Sequence, residues 1–276
     1  MTTPRERLGA ELTRIRKVAG LSQRTVAKQL DVSLRTVQRM EQGTSVPSWP
    51  EAERWAHACA AAQPDMAGLR ILTEAALNEV TPFRDRLPEG LAAIQQDIAQ
   101  RVAETRLLRG FQCSIVPGLL QHPEYARRVL EMRDYTGTSD IPAAVAARIN
   151  RQQILYEEGH RFEFVLTEAA LRWRPGPTTV LRAQLAHLTT IADLPAVRFG
   201  VIPFTTEMRA VPYPFVIYEN HDGTAFAVAE TPHGESRASD PADVAIYRRQ
   251  WELLAEPAVY GARAIEFVGQ VLRELS

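Results

Sequence analysis

Residues 21 to 43, LSQRTVAKQLDVSLRTVQRMEQG, read as two short helices joined by a tight turn. Ser22 and Ser33 stand where a helix N-cap is wanted, each with a hydroxyl able to accept from a free backbone N–H of the first turn. Ala27, Leu30, Val32, Val37 and Met40 recur at spacings that one small core would use. The polar residues left over, Gln23, Arg24, Lys28, Arg35, Gln38 and Arg39, then face outward. They are donors suited to phosphates and base edges, so the pair of helices can lay its second member in a DNA groove.

The flanking sequence agrees. Thr3, Pro4 and Glu6 make a capping box with Pro at the first helical position, which predicts a helix through Leu8, Leu12 and Ile15 that Gly20 stops. Ser48 with Glu51 is a second capping box, opening a helix that carries Trp55 and Cys59 inward. A helical bundle with no ligand would share the core spacing, but here cap, turn and polar-face signals coincide.

On these residues, the stretch from about Leu8 to Trp55 resembles the helix-turn-helix of the Xre, Cro and phage-repressor family. The resemblance makes Ser22 to Leu30 the second helix and Ser33 to Gln42 the recognition helix. It puts Asp31 in the turn where many relatives have Gly; Asp tolerates the left-handed conformation at some strain. It implies base contacts from Leu34, Arg35 and Arg39. Leu34 departs from the usual polar residue, and either meets a thymine methyl or touches no base. Ser22, Gln23, Arg24, Lys28, Ser33 and Gln38 are the implied phosphate contacts, with Gln23 in the family's anchoring position. Arg24 and Lys28 also read as solvated charge, and Gln38 as a residue facing water. Arg16 and Glu41 match a buried ion pair of the family that ties the first helix to the end of the third. The implied partner is double-stranded DNA with an inverted-repeat operator, bound by a homodimer whose recognition helices enter successive major grooves about 34 Å apart.

Charge is divided along the chain. The net charge is only −1, but residues 1 to 60 hold ten Lys or Arg against six Asp or Glu, or +4, leaving −5 for the remainder. A basic head binds phosphate backbones in a salt-dependent way, and an acidic body limits indiscriminate binding. At 276 residues and 45% apolar content the chain exceeds a DNA-binding bundle and can hold a second, larger core. The expected division is a helix-turn-helix domain over residues 1–75 and an effector or partner-binding domain over 76–276. Cys59 and Cys113 lie on apolar stretches of different domains, which predicts two core thiols in a reducing compartment. No cationic and apolar leader and no membrane-length apolar run is seen, so a cytoplasmic protein in contact with the nucleoid is expected.

The fold class expected is α+β: an all-α bundle, then a mixed α/β domain with a roughly five-stranded sheet. Met66 to Val80 and Leu91 to Leu108 each place apolar residues on one helical face. FQCSIV (111 to 116), RFEFVL (161 to 166), VRFGVIP (197 to 203), PFVIYE (214 to 219) and AFAVAE (225 to 230) read as strands. Helices fit Pro123 to Arg133, Ile141 to Tyr156, Thr178 to Ile191, Pro241 to Leu254 and Ala262 to Leu275. Asp222 and Gly223 suit a hairpin turn between the last two strands.

A second resemblance rests on IVPGLLQHPEYARRVL (115 to 130), RINRQQILYEEG (148 to 159) and FVLTEAALRW (164 to 173), continued by VRFGVIPF and PFVIYE. These are similar to the effector domain of WhiJ-like actinobacterial regulators, in which an Xre-type head precedes this domain. The sequence lacks the small, Ser-rich segment expected near Ala258 to Ala264. The resemblance implies a transcription regulator of a Streptomyces-like organism, tied to development or specialised metabolism and often encoded beside a small partner protein. An antitoxin-like variant of the same scheme sequesters that partner and uses DNA binding for autoregulation.

Candidate effector residues are Tyr125 and Arg128 on one helix, Arg148, Arg151 and Gln152 on the next, and Trp173. Arginines on one helix can clamp an anionic ligand or a partner's carboxylates. Alternatively they form internal ion pairs with Glu157, Glu158 and Glu168. VPYPFVIYE and Trp173 can line an apolar pocket, a dimer interface or plain core. GxSxG, Walker, GxGxxG and HExxH signatures are missing, so catalysis is not expected. The six histidines are scattered; His221 beside Asp222 and His233 near Glu235 are surface loop residues rather than metal ligands. No cofactor or metal is expected.

Overall fold

Thr3 opens helix α1 (Pro4–Val18) with its capping box complete. The Thr3 hydroxyl accepts from the Glu6 N–H at 3.2 Å, and the Glu6 carboxylate accepts from the Thr3 N–H at 2.8 Å. Gly20, at φ 67°, ends the helix while the N–H groups of Gly20 and Leu21 return to the carbonyls of Lys17 and Arg16. This computed structural model describes residues 3–135 and 137–275, with only the backbone of Arg84, Asp85 and Leu87. Two compact units divide the chain: the residues through Val80 with Ser236–Asp243, and Thr81–Glu235 with the residues from Val244 on.

The first unit continues with α2 (Gln23–Leu30), α3 (Leu34–Glu41), α4 (Trp49–Ala58) and α5 (Gln63–Leu77). Leu8, Leu12 and Ile15 of α1 meet Val26, Ala27, Leu30, Val37, Met40, Trp55 and Leu69 in one core. Val32 is packed against it, only partly buried. Glu51 opens α4 by accepting from both the N–H and the hydroxyl of Ser48. Trp55 is buried and its indole N–H donates to the Leu12 carbonyl at 3.3 Å. At Gly9 a Cβ would collide with the Glu41 carbonyl, so the backbones of α1 and α3 approach only because that position lacks a side chain. Val80, expected on the inner face of a helix, lies beyond the end of α5 on strand β1 (Asn78–Pro82) and is exposed. Asn-Glu-Val-Thr-Pro favours extension, and Pro82 itself cannot continue a helix.

After α6 (Phe83–Arg86) and α7 (Gly90–Ala103), the chain forms β2 (Thr105–Gln112), α8 (Pro123–Arg133), α9 (Ile141–Arg151), β3 (Arg161–Thr167), α10 (Glu168–Arg172), α11 (Thr178–Ile191) and β4 (Val197–Ile202). It ends with β5 (Phe215–Asn220), β6 (Ala225–Thr231), β7 (Gly234–Ala238), α12 (Pro241–Ala255), β8 (Val259–Tyr260) and α13 (Ala262–Glu274). The strand order is β1-β7-β6-β5-β2-β3-β4-β8. The strands β2, β3 and β4 are parallel, and β5 and β6 continue from β2 antiparallel. Gly223, at φ 84°, and Asp222, accepting from the Thr224 N–H, form the expected turn between β5 and β6.

The α+β class is as expected, but among the described residues the sheet has eight strands rather than about five. The additional ones, β1, β7 and β8, are short or lack apolar alternation: GESRA has one small apolar residue, and VY is two residues long. The first long strand is residues 105–112, not 111–116, and the helix expected to reach Leu108 stops at Ala103. Leu107 and Leu108 fit either period, and pairing with β3 and β5 decides for the strand. The helix expected from Ile141 to Tyr156 ends at Arg151, followed by a 3₁₀ turn over Gln152–Tyr156.

Alternation along the strands builds two cores. Leu108, Phe162, Phe164, Tyr218 and Val228 belong to the larger, with α8, α11 and α13; Phe111, Val165, Ile217 and Ala227 pack with Trp251 and Leu254 of α12. Cys59 and Cys113 are free thiols, the first buried. Among the described residues no helix is long and apolar enough to cross a membrane.

Candidate nucleic-acid interface

The two helices of the opening stretch start by the same device. The Ser22 hydroxyl accepts from the Thr25 N–H at 3.1 Å and the Ser33 hydroxyl from the Thr36 N–H at 3.0 Å. Each seryl oxygen also lies 2.8 Å from the following threonine hydroxyl. Substituting such a cap by Ala typically costs about 0.5–2 kcal/mol. Asp31 takes the left-handed conformation, φ 56° and ψ 48°, and turns the chain between the helices. Val37 and Met40 hold α3 to the core, which leaves Arg35 and Gln38 exposed and Leu34 and Arg39 half-buried beside them. These four residues form one face along α3. On α2, Arg24 and Lys28 are exposed.

A buried polar cluster bonds these helices to one another and to α1. Arg16 of α1 donates through Nε and Nη2 to the two oxygens of Glu41 at the end of α3, and through Nη1 to the Leu21 carbonyl at 3.0 Å. Their side chains are only 10% and 6% exposed. The Gln23 amide, at the first position of α2, donates to the same carboxylate at 2.6 Å. Three helices are therefore tied to one anion. Burial alone pushes the Glu41 carboxyl up, but the bonds from Arg16 and then Gln23 outweigh it and hold the group below its ordinary value. The bond to Glu41 raises Arg16 in turn.

The Gln23 amide has two N–H groups, and Glu41 uses one. Gln23 is the first residue of α2, the helix end at which a phosphate is favoured. Gln23→Ala is expected to weaken binding to operator and random duplex by the same factor, and also to lower the thermal midpoint, since bonds to a charged group contribute about 1.5–3 kcal/mol. Fluorescence anisotropy on both duplexes and a melting curve check this, and unchanged affinity would remove Gln23 from the interface.

The effector candidates are not one cluster. Tyr125 is fully buried, with its hydroxyl accepting from the Val116 N–H at 3.4 Å and its ring edge-on to half-buried Trp173. Arg128 lies near Glu124 and Glu131 at 3.5 and 3.7 Å. Gln152 donates to the carbonyls of Gly118 and Gln121 and holds the 3₁₀ turn over Gly118–Leu120 in place. Arg148 and Arg151, in contrast, line a cavity. They form no ion pair with Glu157, Glu158 or Glu168: the first two are exposed, and Glu168 binds Arg172. The acceptors are Gln95 and Gln121, both buried, which no local pattern singles out. From VPYPFVIYE, Pro214, Phe215, Val216 and Tyr218 reach the same cavity. His221 lies edge-on to His160, while Glu235 is bonded to Arg101. Among the described residues no group of three His, Cys, Asp or Glu is placed to hold a metal ion.

Capped α2 and α3, the left-handed turn and the braced core define a helix-turn-helix protein, here carrying a separate α/β unit. The family model described as "Helix-turn-helix domain" matches residues 7–69. The chain belongs to the family described as "Domain of unknown function (DUF5753)", whose model matches residues 95–270. Among solved structures the chain is similar to the clp gene regulator ClgR from C. glutamicum, at 26% identity over 28% of this chain and 96% of that one, with a TM-score of 0.24. No curated protein matches.

Proposed function

We propose that the protein is a sequence-specific DNA-binding transcriptional regulator that acts as a homodimer. Residues 1–75 bind DNA, and residues 76–276 form an effector part through which a ligand or a small partner protein gates that binding. The observation that carries this reading is the outer face of α3. Leu34, Arg35, Gln38 and Arg39 project from a helix whose opposite side is anchored by Val37 and Met40. An anchored helix with guanidiniums on its outer side is what major-groove readout needs, because Arg donates two N–H bonds to guanine O6 and N7. Leu34, Arg35 and Arg39 are assigned to bases. Ser22, Gln23, Arg24, Lys28, Ser33 and Gln38 are assigned to the backbone. The charge division supports the same assignment, since phosphates attract the +4 head and are repelled by the remainder.

The motifs shared with WhiJ-like regulators support placing the protein among actinobacterial regulators of development. Selection of bound duplexes from a random pool tests the central claim. Enrichment of an inverted repeat with half-sites about 10 base pairs apart, centre to centre, is expected. Recovery of single half-sites only would remove the homodimer, and recovery of no motif would remove sequence reading altogether.

A further inference from the structure

Inside the second unit, α7, α8 and α9 together with β2, β5 and β6 enclose a cavity of about 400 Å³. That is within the range of small-molecule sites, about 300–1,000 Å³. Tyr135 lines it and is 65% exposed, so the cavity reaches solvent. Its walls are mostly apolar, with Ile98, Val129, Phe164 and Val216 among them. Its buried charges are the guanidiniums of Arg148 and Arg151, whose residues are 5% and 9% exposed, and the carboxylate of Glu235, 5% exposed.

Neither guanidinium has a carboxylate bonded to it among the described residues. Arg148 donates to the amide oxygens of Gln95 at 3.0 Å and Gln121 at 2.7 Å, and Arg151 donates to the same Gln95 oxygen at 3.3 Å. The Nε of Arg151 is buried with no hydrogen-bond partner. Other charges at the cavity are matched, Glu230 by Arg133 and Glu235 by Arg101. Burial and then the neighbouring Arg151 push Arg148 down to about 9, which still leaves it cationic at neutral pH; burial lowers Arg151 as well. The chain also makes room for this arrangement. A Cβ at Gly118 would lie 2.7 Å from Nη2 of Arg151. Two buried like charges that converge on one neutral oxygen are costly unless a counter-charge arrives. A guanidinium fork matches the two oxygens of a carboxylate, and the apolar walls match a hydrocarbon body.

We propose that this cavity binds a small organic carboxylate with an apolar body, its acid group held by Arg148 and Arg151. The assignment deepens the gating half of the proposed function by naming the chemistry of the effector. Binding is measured without DNA, so its failure leaves the DNA-binding reading standing. The test is isothermal titration calorimetry of the full chain with decanoate, decanol and acetate. Decanoate is expected to bind at least about tenfold more tightly than decanol, and acetate more weakly than either, because both the ion pair and the buried body are needed.

The double variant Arg148→Gln/Arg151→Gln is expected to lose at least about tenfold in decanoate affinity while keeping its affinity for decanol. Its thermal midpoint without ligand is expected to stay or rise, since two buried charges with no carboxylate bonded to them are removed. Val228→Phe, which fills the cavity from β6 and leaves both arginines in place, is expected to weaken decanoate and decanol together. Equal affinity of the unmodified chain for decanoate and decanol would overturn the proposal. So would unchanged decanoate binding in either variant.

Discussion

Glu41→Ala is expected to destabilise the first unit by about 3–5 kcal/mol, the usual cost of leaving the other member of a buried ion pair unpaired. Arg16 is held among α1, α3 and the Leu21 carbonyl, and without Glu41 it retains that single carbonyl bond for a full charge. Gln23 loses its acceptor at the same time. A melting curve of the full chain should show the first unit unfolding at markedly lower temperature. An unaltered curve would mean that water already solvates the pair. The double variant Arg16→Met/Glu41→Leu separates the cost of an orphaned charge from the value of the pair. Exchanging a buried pair for apolar residues of similar volume is often neutral or stabilising, so the double variant is expected to melt well above Glu41→Ala. The same cluster sets an acid limit. Glu41 is held below its ordinary value of 4.5, so its contribution is present in full above that value and is lost as pH falls through the lower folded value. Glu41→Ala should therefore flatten the acid limb of the first unit's stability profile.

Arg35→Ala and Arg39→Ala are each expected to cost about 1–3 kcal/mol per lost base contact, or about 2–6 kcal/mol on an operator that two protomers fill. The sign of specificity matters more than the total. A base reader loses affinity for its operator while binding to random duplex changes little, so preference relaxes at the base pair it faced. A residue that contacts only phosphate weakens both duplexes alike and reduces the salt slope by about one. Anisotropy titrations at several salt concentrations distinguish the two. Equal loss on operator and random DNA would reassign that arginine to the backbone. Leu34→Ala gives the complementary reading: loss confined to sites with a thymine would place its side chain against the methyl group.

The head was legible because its determinants are local. A cap needs residues three apart, and a helix face repeats every three to four residues, so Thr3 with Glu6, Ser22 with Thr25 and Val37 with Met40 declare themselves along the chain. The resemblance to known repressors supplied Arg16 with Glu41, which lie 25 residues apart and share no local pattern. Strands with β-rich runs between turn residues were legible, while β1, β7 and β8 were not. Their pairing partners, not their composition, make them strands. The first long strand was misplaced for a related reason, because Leu107 and Leu108 suit a helix as well as a strand.

The sequence by itself determined that two capped helices meet at Asp31 with arginines on the outer face, because each of those features is enforced within one or two helical turns. Only the tertiary structure decided what surrounds Arg148 and Arg151. On their helix they look like solvated or paired charge, and carboxylates stand nearby in sequence. The fold instead brings Gln95, 53 residues from Arg148, to both guanidiniums and Gln121, 27 residues from Arg148, to that of Arg148, and leaves Glu157 and Glu158 in solvent. Whether a charge is buried and what faces it depend on packing between distant segments, which no short-range period records.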